Sequence, residues 1–111
     1  MTRGEVWMVD FGEPSGPEQS GRRPAILVQD ESLIEALVTV IVIPLTTNTR
    51  RLALPTAVFI PAGEGGLPQD SVALCHQVQV RGKARLLSCM GMLPSERLAE
   101  VEESLLQALG F

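Results

Sequence analysis

The run Leu-Val-Thr-Val-Ile-Val-Ile-Pro-Leu at residues 37–45 constrains the fold more than any other stretch of the chain. It is almost continuously apolar and rich in Val and Ile, which are favoured in strands. A surface strand would alternate apolar and polar residues, so we interpret this run as a central strand that is buried on both faces. The stretch from Val38 to Leu45 is far too short to span a membrane.

Further strands are predicted where short apolar segments lie between turn residues. These segments are residues 5–11, 23–29, 56–61, a strand with a possible bend at 70–80, and 85–93. One helical turn is expected within residues 30–36. Many strands without strand–helix alternation indicate a small antiparallel β-barrel rather than a parallel sheet.

A C-terminal helix is predicted to start near Pro94 or Ser95. Its apolar stripe is formed by residues at helical spacing, Leu98, Val101, Leu105 and Leu109, and Gly110 ends it. The glutamates of this segment fall off the stripe and are expected to face solvent. With 111 residues the chain is expected to form one mainly β (α+β) domain over residues 1–111.

Two glycine-rich loops interrupt the strands. Residues 12–21 contain three Gly and two Pro and are long enough to act as a mobile lid. Residues 62–68 are also glycine-rich, but they lack the Lys-Ser/Thr ending of a phosphate-binding loop. We therefore expect no nucleotide role for the second loop.

The net charge of −4 argues at first against a nucleic-acid partner, but the charges are unevenly distributed. Acidic residues dominate after Pro94, whereas basic residues dominate between Val40 and Leu93. A basic face can therefore coexist with an acidic helix. The first residues have no hydrophobic core of a signal peptide, so a cytoplasmic protein is expected.

Cysteine and histidine are scarce. Cys75 and Cys89 are expected to be free, buried thiols, and His76 is the only histidine. Without a Cys-x-x-Cys pair, neither a zinc site nor any cofactor is expected. A single histidine also weakens the case for a Ser-His-Asp triad.

Two arginines, Arg22 and Arg23, stand where the first loop becomes the second strand. A guanidinium is a planar cation with five donors and suits a phosphate or a carboxylate. Pro24 favours an extended Arg23, which would aim its side chain. A loop arginine that merely solvates a turn is the alternative.

Hydroxyl and amide side chains follow the central strand directly, at Thr46, Thr47, Asn48 and Thr49. Such a cluster is either a turn that caps its own backbone or a surface for a ligand. Sequence alone leaves both interpretations open.

The chain resembles the MazF/PemK family from Arg3 to Gly110. The resemblance is carried by four separated motifs in matching order and spacing: Arg-Gly-Glu-Val-Trp at 3–7, residues 16–24, Pro-Leu-Thr at 44–46, and residues 70–74 with Gln77. It implies an SH3-like barrel that forms a two-fold dimer. It also implies a ribosome-independent, metal-independent endoribonuclease toxin that cuts single-stranded RNA and is inhibited by a MazE-type antitoxin.

The same resemblance implies the site. Arg23 and Thr46 match the family's catalytic arginine and threonine. RNA contacts are implied for the first loop and for polar positions near the catalytic pair: Glu18, Gln19, Ser20, Thr47, Asn48 and Gln77. His76 departs from the pattern, because many members have an acidic residue there.

These residue types suit RNA cleavage in which the 2′-OH attacks the adjacent phosphorus to give a 2′,3′-cyclic phosphate and a 5′-OH. Arg23 would stabilise charge on the phosphoryl oxygens, and Thr46 would hold one of them. Glu18 is a weak candidate for the general base, and His76 is a weaker one. Two alternatives remain: a CcdB-like toxin that binds a protein target such as gyrase, and a nucleic-acid-binding barrel without activity.

Overall fold

The computed structural model describes residues 1–13, 16 and 20–111. The strands are β1 (Glu5–Asp10), β2 (Arg22–Leu27), β3 (Thr39–Thr46), β4 (Ala57–Ile60), β5 (Ser71–Leu74), β6 (Gln79–Gly82) and β7 (Leu86–Met92). The helices are a single turn, α1 (Glu31–Ile34), and a longer C-terminal helix, α2 (Ser95–Leu109). The prediction of a mainly β fold with one C-terminal helix is confirmed.

All strand pairs in the sheet are antiparallel, and their order is β4-β5-β3-β2-β1-β7, with β6 also paired to β3. β3 is central, because β2 lies along one edge and β5 and β6 lie along the other. Both faces of β3 are buried, as its uniform apolar sequence predicted. Among the described residues the ladder does not close on itself, since β4 and β7 form its two ends.

The segment predicted as one strand at residues 70–80 is divided by a 3₁₀ turn at Cys75–Gln77. Leu45 pairs with Ala73, and Val42 pairs with Gln79. Two residues of β3 lie between these pairs, whereas five residues separate their partners on the other side. One of the two is Pro44, which has no N–H to offer a ladder. The turn accommodates the three extra residues, and β6 continues along the same edge.

The apolar side chains form one cluster on each face of the sheet. The larger cluster lies between β1–β3, β4, β5 and α2, and includes Ile26, Ile43, Leu45, Ile60 and Val101. The smaller cluster lies on the opposite face and includes Val9, Phe11, Leu27, Val42 and Leu86, with Trp7 packed against it. Alternate residues of β2 and β3 therefore face different clusters, which fixes the direction of every side chain near the site.

Helix α2 begins after Pro94 and ends at Gly110, whose φ of 86° closes the helix in the left-handed conformation. Leu98, Val101 and Leu105 pack on the larger cluster as predicted. The prediction for Leu109 was wrong, because this last helical residue is 53% exposed. No helix in the described ranges is long and apolar enough to cross a membrane.

Three other expectations for apolar residues need correction. Val38 is 83% exposed, because β3 begins only at Thr39. As an aromatic residue of a predicted strand, Phe59 was expected in the core, but it is only half-buried, since its neighbours Val58 and Ile60 take the inward positions of β4. Cys75 is buried and free as expected, but Cys89 is free and exposed.

Candidate functional site

The candidate site lies at one end of the β2–β3 pair, where the ladder between the two strands stops. Ala25 pairs with Pro44 in the last step of this ladder. Beyond it, β2 continues beside β1 as far as the pair of Arg22 with Asp10. β3 continues beside β5 to Thr46. We call residues 22–24 and 45–47 the open end of the β2–β3 pair.

The same register, continued past the last pair, sets Arg23 opposite Thr46. Side-chain alternation directs both toward the face that carries the smaller apolar cluster, because Ala25 and Val42 face that cluster from the same two strands. The fold thus brings the two residues that resemble catalytic residues to one face at one edge. Thr46 comes from the buried central strand, and Arg23 comes from the strand that follows the first loop.

Arg23 is half-buried, and one hydrogen bond fixes its orientation. Its Nε donates to the backbone oxygen of Ser20 at 2.9 Å. Among the described residues, its two terminal Nη groups donate to no protein acceptor. The guanidinium is therefore held at its inner nitrogen, and its outer pair of nitrogens can bind an anion in a bidentate manner.

Thr46 is only 7% exposed, and its hydroxyl oxygen accepts a hydrogen bond from the backbone N–H of Asn48 at 3.2 Å. Since that oxygen acts as an acceptor here, its own proton is available for donation to a ligand. Asn48 in turn caps the 3₁₀ helix Thr49–Ala53, because its side-chain oxygen accepts from the N–H of Arg50 at 3.2 Å. The hydroxyl and amide cluster therefore caps its own backbone and also leaves one donor free.

The remaining predicted contacts take different positions. Thr47 is exposed at the end of β3, and Ser20 is half-buried and contributes its backbone oxygen to Arg23. Glu18 and Gln19 lie outside the described residues, as does half of the predicted lid at residues 12–21.

Gln77 ends the 3₁₀ turn that interrupts the β5–β6 edge. Its backbone oxygen accepts from the Nε2 of Gln79 at 3.1 Å. Its side-chain oxygen is buried and has no hydrogen-bond partner within the described part of the chain. A buried acceptor without a hydrogen bond typically destabilises a folded protein by about 1–3 kcal/mol. A hydrogen bond donated to this oxygen by a ligand or partner would therefore be favourable.

His76 lies in the same turn but contributes to a different surface. It lines an apolar pocket formed by the segment after the Thr49–Ala53 helix and the end of α2, with Leu54, Pro55, Thr56, Gln107 and Ala108. Neither Arg23 nor Thr46 belongs to this pocket. The structure therefore does not bring His76 together with the proposed catalytic pair.

The electrostatics of the open end favour an anion. Asp10, the nearest carboxylate by strand register, accepts from the N–H of Gly12 at 2.9 Å and from Arg85 at 3.4 Å. Its charge is thereby partly offset. No group of three His, Cys, Asp or Glu side chains that could hold a metal ion occurs in residues 1–13, 16 and 20–111.

Residue patterns could not identify two backbone contributors, the oxygen of Ser20 and the N–H of Asn48, since such groups occur all along the chain. The capping role of Asn48 had a signal in the sequence, because Asn is a favoured cap before a helical turn.

Comparison with known proteins places the chain in a family. Residues 2–109 match the family described as PemK-like, MazF-like toxin of type II toxin-antitoxin system. Endoribonuclease MazF6 of Mycobacterium tuberculosis is 34% identical over 110 residues, which cover 98% of this chain and 96% of that protein.

Two solved structures agree with this relationship. MazF from Deinococcus radiodurans superposes with a TM-score of 0.82 at 26% identity, covering 97% of this chain and 94% of that one. The same organism's MazE–MazF complex gives a TM-score of 0.78 at 25% identity, covering 98% and 95%. The match over nearly the whole length of the sequence shows that this chain belongs to the PemK-like, MazF-like toxins of type II toxin–antitoxin systems.

Proposed function

We propose that this chain is a sequence-specific endoribonuclease toxin that cleaves single-stranded RNA at the open end of the β2–β3 pair. The observation that carries the proposal is the presentation of two donors at one edge. Arg23 is oriented by the hydrogen bond from its Nε to Ser20, which leaves both Nη groups to donate to a ligand. The Thr46 hydroxyl accepts from the N–H of Asn48 and can donate its own proton. The named relative is an endoribonuclease, which supports the same reaction class here.

The proposed chemistry is an internal transesterification. The 2′-oxygen forms a bond to phosphorus, the bond from phosphorus to the 5′-oxygen breaks, and the products are a 2′,3′-cyclic phosphate and a 5′-hydroxyl. The proton of the 2′-hydroxyl leaves, and the departing 5′-oxygen gains a proton. Charge that builds on the nonbridging oxygens needs fixed donors, which is the role we assign to Arg23 and Thr46.

Arg23 is assigned electrostatic stabilisation rather than proton transfer. An arginine with a pKa above about 12 gives up its proton too reluctantly for efficient general-base or general-acid catalysis. The Nε hydrogen bond to Ser20 orients the planar fork before the substrate arrives. Preorganised donors of this kind act without the cost of reorientation during the reaction.

Base recognition is assigned to the polar groups around the pair. Thr47 is exposed beside Thr46, which supports its contact with a base or sugar. Gln77 is assigned an acceptor role as well, and because its side-chain oxygen is buried, this role requires the Cys75–Gln77 turn to move when RNA binds. Asn48 and three residues of the first loop, Glu18, Gln19 and Ser20, complete the proposed set. Single-stranded bases can be read on their edges by such groups.

We also infer a MazE-type antitoxin, a homodimer and a cytoplasmic location. The Deinococcus MazF is known in complex with MazE, which supports an antitoxin partner for a member of the same family. Cellular RNA and an antitoxin would both be met in the cytoplasm. Nothing in the comparisons favours the alternative of a toxin that acts on a protein target such as gyrase.

The experiment is incubation of the purified protein with a long single-stranded RNA in the presence of EDTA. Discrete fragments with 5′-hydroxyl and cyclic phosphate ends are expected. Arg23→Ala should reduce the cleavage rate on the order of 100-fold or more, because it removes a transition-state donor. Arg23→Lys should restore little, since a point charge does not reproduce the fork.

Lys83→Gln is the matched control for the loss of one positive charge, because the Lys83 ammonium donates to the backbone oxygen of Ile34 at the end of α1. Near-normal cleavage by a correctly folded Arg23→Ala variant would overturn the assignment of Arg23. Cleavage that stops in EDTA and returns with a divalent ion would contradict metal independence. Intact RNA that remains bound would support an inactive RNA-binding barrel instead.

A further inference from the structure

We propose that Arg22 and Thr47 form a second phosphate-binding position, for a phosphate next to the scissile one in the RNA strand. The inference rests on the proposed function and adds a second subsite to it. It starts from the register of the open end. The last pair of this register is Ala25 with Pro44; continued by three residues, it would set Arg22 opposite Thr47, the first residue after β3. Two Arg–Thr rows therefore cross the same gap, one residue apart.

The two rows differ in direction. Successive side chains of a strand point to opposite faces, so Arg22 leaves β2 on the face opposite to Arg23. The burial pattern agrees, because Arg23 is half-buried while Arg22 and Thr47 are exposed. The two guanidiniums cannot both bind one phosphate in a bidentate manner, and the outer row is positioned for a neighbouring phosphate.

Arg22 also lacks a protein partner within residues 1–13, 16 and 20–111. Asp10 is the cross-strand neighbour of Arg22 in β1, yet its carboxylate bonds to Gly12 and Arg85. Within the described part of the chain, Arg22 makes no ion pair and no side-chain hydrogen bond. By contrast, Arg3 and Arg97 are each paired with a glutamate. The described residues thus leave the donors of Arg22 available to an external anion.

An RNA phosphate is the occupant that this arrangement fits. A planar guanidinium and a hydroxyl across a gap offer several donors and no charged acceptor. The phosphate position at Arg22 adjoins the open end. An RNA strand whose scissile phosphate binds Arg23 would therefore continue past Arg22. Contacts of this type add affinity without reading sequence, because every nucleotide carries the same phosphate.

The test is the salt dependence of binding to a short RNA that carries the cut sequence and is 2′-O-methylated throughout, so that it cannot be cleaved. For single strands, each phosphate contact contributes about 0.7 to the slope of log K against log salt. Arg22→Ala should lower the slope by about that amount. Arg22→Lys should retain the slope, and Lys83→Gln should leave it at the wild-type value.

Cleavage kinetics of the same variants give a second measurement. Arg22→Ala should raise KM more than it lowers kcat, whereas Arg23→Ala should act mainly on kcat. An unchanged salt slope in Arg22→Ala would overturn the subsite, even if cleavage were slower. Weaker binding of an acidic antitoxin peptide with an unchanged RNA slope would likewise overturn it and assign Arg22 to the antitoxin. Failure of the wild-type protein to cut any RNA would refute the proposed function, while the same salt slope measured with a 2′-O-methylated RNA of mixed sequence would still test the subsite.

Discussion

The two cysteines have opposite environments, although their sequence contexts look alike. Cys75 is fully buried in the larger apolar cluster, and burial raises the pKa of its thiol to about 11. Cys89 is exposed on β7, and its Sγ lies 3.5 Å from a carboxylate oxygen of Glu5. Partial burial, together with the hydrogen bond to that carboxylate, raises the pKa of Cys89.

Native protein should therefore react with a thiol reagent at Cys89 only. The thiolate is the reactive form, so the rate should increase as the pH rises above neutrality. Glu5→Gln should accelerate labelling of Cys89, because it removes the negative charge that disfavours the thiolate. The measurement is mass spectrometry of labelled peptides, with both cysteines expected to react in denaturant. Labelling of Cys75 in the native protein would contradict its placement in the core.

The proposed catalytic residues could be chosen from the sequence, but their presentation could not. Arg23 and Thr46 were identified by the motifs that resemble a known family. The hydrogen bonds that orient them come from the backbone oxygen of Ser20 and the backbone N–H of Asn48. Backbone groups occur at every position, so only the path of the chain decides which of them act.

Ion pairs connect the C-terminal helix α2 with the rest of the molecule. Arg97 donates to Glu64 at 2.7 Å and to Glu100 at 2.8 Å. At the other side, Arg3 bonds to Glu102 and to the backbone oxygen of Val28. The glutamates of α2 lie at the surface as expected, and two of them, Glu100 and Glu102, also form ion pairs.

The Arg97–Glu64 pair predicts a loss of stability in acid. The hydrogen bond from Arg97 holds the pKa of Glu64 below its ordinary value of 4.5. Because the pKa of Glu64 is lower in the folded state, its ionised form stabilises the fold at pH values above the ordinary pKa. This contribution is lost as the pH falls through the lowered pKa. Urea midpoints measured from neutral pH to below pH 4.5 should decline in the wild-type protein.

Glu64→Gln should have a lower midpoint at neutral pH and a shallower decline in acid than the wild-type protein. Glu96→Gln is the control, because Glu96 is exposed in the first turn of α2 and forms no ion pair among the described residues. An identical acid profile for wild type and Glu64→Gln would show that this ion pair contributes nothing to folding.

Close packing, rather than phosphate binding, explains the glycines in the loop at residues 62–68. A Cβ on Gly66 would lie 2.0 Å from the backbone oxygen of Met90, and one on Gly65 would lie 2.5 Å from Val6. Both glycines also have positive φ angles, 60° at Gly65 and 73° at Gly66. The loop therefore packs against β7 and β1. This contact could not be predicted from the sequence, because the segments that touch are far apart along the chain.

Strand positions followed from apolar patterning, whereas the break between β5 and β6 did not. The run at residues 70–80 reads as one strand, because its apolar residues continue through Cys75. The break reflects a mismatch with β3, where the proline at position 44 cannot donate to a ladder. Pairing between strands determines such a turn, and local sequence carries little signal for it.

At the scale of the whole molecule, the charges separate as the sequence predicted. The acidic residues of α2 are partly neutralised by Arg3 and Arg97. In the described part of the chain, the arginines without a carboxylate partner lie on β2, on β6 and in the Thr49–Ala53 helix: Arg22, Arg23, Arg50, Arg51 and Arg81. The net charge of −4 therefore does not describe the open end, where Arg22 and Arg23 stand side by side.

Apolar surface also remains exposed on one protomer. Val80 and Leu109 are 54% and 53% exposed, and they border a groove of about 290 Å³ between β6 and α2. Val38 and Phe111 are more than four-fifths exposed. A second copy of the chain would cover surface of this kind, which agrees with the homodimer that we infer.

An extended acidic segment of the antitoxin should compete with RNA for the open end. Both ligands are extended anions, and the guanidiniums of Arg22 and Arg23, which form no ion pair with the described residues, would attract either one. The segment would order itself on binding, and added salt should weaken its association.

The first measurement is sedimentation of the protein alone, for which a dimer is expected. The second is displacement of a labelled, 2′-O-methylated RNA by the antitoxin's acidic tail, with a tail of neutralised acidic residues as the control. Full displacement is expected from the acidic tail and little from the neutral one. A monomer at micromolar concentration would contradict the dimer, and simultaneous binding of tail and RNA at full occupancy would contradict a shared site.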